Sequence, residues 1–112
     1  MEIISWDDFA KVEFRVGRII EVEKFPEAHK PAYKLTVDFG PEIGTKRSSA
    51  QLTDLYRPED LKDKLVVAVV NFPPKQIGPM ISECLVTGFH NKNNEVVISV
   101  PDGNVPLGSK LI

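Results

Sequence analysis

Hydrophobic and polar residues alternate along much of the chain. Tyr33, Leu35, Val37 and Phe39 are separated by Lys34, Thr36 and Asp38, the period of two that sends successive side chains to opposite faces of a half-buried strand. Phe14, Val16, Ile20 and Val22 keep the same parity upstream, and Gly17 within that run predicts a bulge or a sharp bend of the kind small barrels need. Residues 65–70, Leu-Val-Val-Ala-Val-Val, are apolar on both faces and predict a central buried strand. Further strands are expected from Ser82 to Gly88 and from Val96 to Val100, each bounded by turn-forming residues.

Helix signals are short. Ser5 followed by Asp8 forms a capping-box pattern that starts one or two turns carrying Trp6, Phe9 and Ala10. Pro58 stands at the first position of a single turn over Arg57 to Leu61. Gly40, Gly44, Pro73-Pro74, Gly78-Pro79, Asn91 to Asn94 and Asp102-Gly103 mark turns. With no repeat or linker, residues 1–112 read as one all-β domain. A small five-stranded barrel of the oligonucleotide/oligosaccharide-binding type (OB-fold), with short helical turns and N- and C-terminal extensions, suits this pattern better than a sandwich of seven short strands.

Composition narrows the function. At a formal charge of −2 no global positive field draws the protein onto a polyanion, so any site for one is local. The longest aliphatic run, Leu65 to Val70, is far too short to span a bilayer, so membrane insertion is not expected. The single cysteine, Cys84, excludes an intrachain disulfide framework and fits a reducing compartment, and the acidic N-terminus does not read as a signal peptide. The expectation is a soluble, cytoplasmic protein.

No constellation for catalysis emerges. The glycines of "GPEIGTKRS" are three residues apart and Lys46 does not follow Gly44 directly, so this stretch reads as a turn between strands and not a phosphate-binding loop. Ser48 and Ser49 lack a nucleophile elbow and an assured base, since His29 and His90 fall in loops. Cys84, His29 and His90 are scattered, so no metal ligand set and no cofactor are expected. The acids Asp7-Asp8 and Glu59-Asp60 sit where helix N-termini favour negative charge. What remains is binding.

Several segments carry a family likeness. "FAKVEFRVGRIIEVEKFPEA" at 9–28, "YKLTVDFG" at 33–40, "RPEDLKDKLVVAVVNFPP" at 57–74 and "ISECLVTG" at 81–88 stand in the order seen in the dimeric tRNA-binding domain family, which the chain resembles. "KPAYKL" at 30–35, "SSAQLTDLY" at 48–56 and "VVNFPPKQIGPMISECLV" at 69–86 are most similar to the CsaA-type secretion chaperones within it. Ser49-Ala50-Gln51 and Asn71-Phe72-Pro73-Pro74 depart from the usual Ser-Gly-Leu and Asn-Leu-Lys-Pro of tRNA-binding relatives, removing positive charge and adding apolar surface.

The resemblance implies a non-enzymatic, homodimeric barrel that binds unfolded or precursor polypeptides and cooperates with the secretion motor ATPase. tRNA or another structured RNA is the alternative ligand. Candidate contacts with peptide or RNA are Lys34, Arg47, Ser49, Gln51, Asn71, Phe72, Ser82 and Glu83. Carboxamides such as Gln51 and Asn71 both donate and accept, which suits a peptide backbone, whereas phosphate only accepts. The bland alternatives stay beside this reading: Ser49 and Gln51 as solvated strand residues, Phe72 as core, Lys46 and Arg47 as solubilising cations. Phe9, Leu111 and Ile112 are the candidate dimer contacts, although the terminal pair could fold back on its own barrel.

Overall fold

The structure, a computed structural model, describes residues 1–112. The elements run α1 (Trp6–Ala10), β1 (Phe14–Lys24), β2 (Tyr33–Asp38), β3 (Thr45–Ala50), α2 (Pro58–Leu61), β4 (Leu65–Val69), β5 (Lys75–Ile77), β6 (Met80–Ser82), β7 (Leu85–Val86), β8 (Gly88–His90) and β9 (Val96–Ile98). Five of these form one antiparallel sheet in the order β3-β2-β1-β4-β7, and β3 bends round to approach β6 and β7, so the sheet nearly closes into an OB-type barrel. The hairpins β5–β6 and β8–β9 lie outside that sheet.

Both helix starts form as their residues dictate. The Ser5 hydroxyl accepts the Asp8 N–H at 3.1 Å while Asp8 accepts the Ser5 N–H at 3.3 Å. Pro58 opens α2, and Asp60 accepts the Arg57 N–H at 2.8 Å. The Gly40–Gly44 stretch is a turn between β2 and β3, with both glycines at positive φ and the Gly44 N–H donating to the Gly40 carbonyl at 2.7 Å.

β2 keeps its expected alternation, with Tyr33, Leu35, Val37 and Phe39 buried. Three other expectations need correction. The bulge lies between Ile19 and Glu21, not at Gly17, and upstream of it the core-facing positions are Gly17 and Ile19, not Phe14 and Val16; Ile19 is fully buried. Gly17 has a different purpose, because a Cβ there would come within 2.5 Å of Val37 Cγ1 and 2.7 Å of the Phe39 ring. The middle strand of the sheet is β1, paired on both sides, whereas β4 ends at Val69 and lies between β1 and β7. The continuous strand foreseen from Ser82 to Gly88 is broken into pieces of β6, β7 and β8, because Glu83 and Cys84 turn to bond the edge of β3.

The main core gathers Ile19, Leu35, Val37, Phe39, Leu61 and Val66. A second, smaller cluster of Phe25, Ala32 and Met80, with Ala28 and Ile77 against it, fastens the β5–β6 hairpin to the 25–32 loop. Phe14 is half-buried and lines surface hollows.

Candidate functional site

After Val70 the chain cannot continue β4, since Pro73 and Pro74 have no N–H to give to a ladder. They run into β5, which turns at Gly78 (φ +55°) and pairs back through Lys75–Ser82 and Gln76–Ile81. The small Phe25–Met80 cluster anchors this hairpin to the 25–32 loop. Between its base, the Phe72-Pro73-Pro74 limb and the edge of β3 lies a hollow of about 480 Å³, inside the roughly 300–1,000 Å³ typical of ligand clefts. Phe72 lines it with 54% of its surface exposed, and Leu85, Ile77 and Cys84 add apolar wall. Ser49, Ser82, Glu83 and Lys75 supply the polar groups.

Isolated bonds from Ser82 and Glu83, and not a strand ladder, cap the adjoining edge of β3. The Arg47 N–H donates to Glu83 Oε1 at 3.0 Å, the Glu83 N–H donates to the Arg47 carbonyl at 2.7 Å, and the Ser49 N–H reaches Ser82 Oγ at 3.4 Å. Cys84 is buried behind this edge, with Sγ 3.8 Å from the Arg47 carbonyl. Burial pushes its thiol pKa up to about 11, so at neutral pH it is an inert wall residue and not a nucleophile.

Ser49, Phe72, Ser82 and Glu83 thus share one hollow. Gln51 lines a second, adjoining hollow, which shares Ser49, Lys75 and Ile77 with the first and is completed by His29, Lys30 and Gln76 among others. Asn71 is not brought to either. Its carboxamide donates to the Lys11 carbonyl at 2.7 Å and accepts the Glu13 N–H at 3.1 Å, fastening the N-terminal segment to the end of β4. The expected pairing of Gln51 with Asn71 in one groove is therefore corrected: both the donor and the acceptor of Asn71 already have partners inside the chain.

Lys34 stands opposite Ser49, and Arg47 opposite Thr36, on the outer face of the sheet. Glu23 draws both cations towards itself, at 3.9 Å from Lys34 and 3.7 Å from Arg47, and Lys34 also lies 5.5 Å from the centre of the Phe25 ring. The pattern reading missed Lys75, Ile77 and Leu85. Lys75 was within reach of it, because a turn at Gly78-Pro79 sets Lys75 opposite Ser82.

A second apolar surface surrounds Phe14, Val67, Phe89, Val100 and Leu111. Phe89 is 72% and Ile112 100% exposed. Phe9 is half-buried between Trp6 and Phe14, with ring centres 5.2 and 6.3 Å away. The Leu111 N–H donates to the Phe14 carbonyl at 3.0 Å, so the C-terminal segment is tied to β1 while its last side chain stays in solvent. No helix is long and apolar enough to cross a membrane.

Comparison with known proteins agrees with this geometry. The CsaA chaperone protein of Picrophilus torridus superposes with a TM-score of 0.91 at 50% identity, covering 98% of this chain and 100% of that one. The chaperone CsaA of Bacillus anthracis gives a TM-score of 0.92 at 42% identity over 99% and 100% of the two chains. The methionine-tRNA ligase of Pyrococcus horikoshii is 39% identical over 111 residues, which are 99% of this chain but 15% of the ligase. The chain thus spans only a small part of that enzyme's length. Residues 14–110 match the family described as "Putative tRNA binding domain", and the chain belongs to that family, on its CsaA-like side.

Proposed function

We propose that this protein is an export-related chaperone that holds unfolded or precursor polypeptides in the Phe72 groove of a homodimer, in the cytoplasm. The observation that carries the reading is an exposed phenylalanine beside two prolines, set against a strand edge in an open hollow. Apolar side chains of a client gain from leaving water there, and the polar rim serves its backbone. Phosphate-driven capture has less support, because Lys34 and Arg47 share Glu23 and the chain is net negative. Chaperone neighbours at 42–50% identity point the same way. The homodimer rests on the unpartnered apolar surface around Phe89, Leu111 and Ile112, and a reducing compartment suits the free thiol of Cys84.

A tRNA-binding module is the second reading, favoured by membership of the family itself. Titrating the protein with a reduced, unfolded polypeptide and with tRNA across a salt series separates the two. Polypeptide capture that persists with rising salt and shows a negative heat-capacity change is expected. Tight tRNA binding with a steep salt slope and no polypeptide binding would overturn the proposal.

A further inference from the structure

The caps on the β3 edge stop short of its end. Beyond the Ser49 N–H, the Ser49 carbonyl receives only a 3.5 Å contact from the Ser48 hydroxyl, and the Gln51 N–H has no acceptor within the chain. These two groups stand where the apolar and the polar hollows meet, since Ser49 lines both and Gln51 lines the second. A carbonyl at one residue and an N–H two residues on are what one residue of an added parallel strand requires. It donates to the first and accepts from the second.

The polar hollow has a charge character of its own. Lys30, Lys75 and His29 line it with Gln51 and Gln76, and no lining residue is acidic. Neither lysine forms an ion pair, in contrast to Lys34 and Arg47. Unneutralised cations therefore flank one end of an apolar groove in a protein that is net negative. An anionic side chain suits that end, and a basic one meets like charge.

We infer that the groove selects an extended polypeptide segment that adds a strand at Ser49–Gln51, seats an apolar side chain against Phe72 and lays an acidic side chain between Lys30 and Lys75. This rests on the polypeptide-binding reading and names the ligand class within it. Residues two apart on a strand share a face, so the apolar and acidic positions are about two residues apart in the ligand.

The test uses the full chain and fluorescent, end-capped peptides carrying Phe two positions from Glu, Gln or Lys, read by anisotropy at fixed ionic strength. The order of affinity is Glu over Gln over Lys. The double variant Lys30→Gln/Lys75→Gln, at two exposed positions, weakens the Glu peptide by about fivefold, the scale of exposed charge pairs. The Gln peptide is weakened less than the Glu peptide. N-methylation of the Glu peptide at one backbone position, scanned along it, lowers affinity more than at its neighbours. Equal affinity for the three peptides, or a scan without a sensitive position, overturns the inference while unfolded polypeptide is still held. The inference also fails alone if no peptide binds but unfolded polypeptide does. Loss of all polypeptide binding, with tRNA retained and released by the double variant, overturns the functional reading as well.

Discussion

Asn71 spends both ends of one exposed carboxamide on the N-terminal segment. Replacing it with alanine leaves the Lys11 carbonyl and the Glu13 N–H to water, and a loss of about 1 kcal/mol is expected in urea denaturation. Polypeptide capture in the Phe72 groove should survive that change, because the amide does not line it. Gly17 is a packing constraint. Val37 and Phe39 are fully buried and cannot swing away from an added methyl at 2.5–2.7 Å, so Gly17→Ala should cost about 1–3 kcal/mol by the same assay. Cys84 sets a limit at high pH. Its folded pKa of about 11 lies above the ordinary value of 9.0, so between those values the unfolded chain releases the proton first. Its contribution is intact below pH 9 and declines towards pH 11, a slope that Cys84→Ala should flatten in denaturation curves taken across that range.

At the level of elements, β1 is the hub because it alone bridges β2 and β4. Glu13, just before it, ties the two chain ends together: Arg15 donates to Glu13 at 3.1 Å, Lys110 stands 2.7 Å from its other oxygen, and Arg15 also donates to the Gly108 carbonyl at 2.9 Å. The Lys110 and Arg15 contacts hold the Glu13 carboxyl below its ordinary value of 4.5. Stability from this cluster is therefore present above about pH 4.5 and lost as the pH falls through the lowered value. Glu13→Gln should remove that part of the acid dependence. It should also speed amide exchange at Leu111, whose N–H bonds the Phe14 carbonyl, as followed by hydrogen–deuterium exchange.

For the molecule as a whole, two surfaces share no lining residue. The hairpin hollow is mixed and open, whereas the face around Phe89, Val100 and Leu111 is predominantly apolar. A surface of that kind on a barrel this small gains by pairing with its own copy. Phe89→Ser, or removal of Leu111 and Ile112, should shift sedimentation from dimer to monomer at micromolar concentration. Circular dichroism should show the strands retained in both, since neither Phe89 nor Ile112 belongs to the core.

How much was legible beforehand follows the range of each interaction. Strand β2, the two capped helical turns and the Gly40–Gly44 turn are written in neighbouring residues: alternation, a side chain three positions from its N–H partner, and glycines at positive φ. Ser49, Phe72, Ser82 and Glu83 were legible as a set through resemblance to a family, and nothing local to any of them foretold that they would meet. The bulge beside Ile20, the interruption at Glu83-Cys84 and the use of Asn71 as a fastening were not legible, because their partners lie tens of residues away. By itself the sequence determined an all-β chain with short capped turns, since those depend on backbone sterics and bonds within a few residues. Only the tertiary structure decided which carboxamide stays free and where apolar and cationic walls adjoin, because bond partners and exposure are settled when distant strands close upon one another.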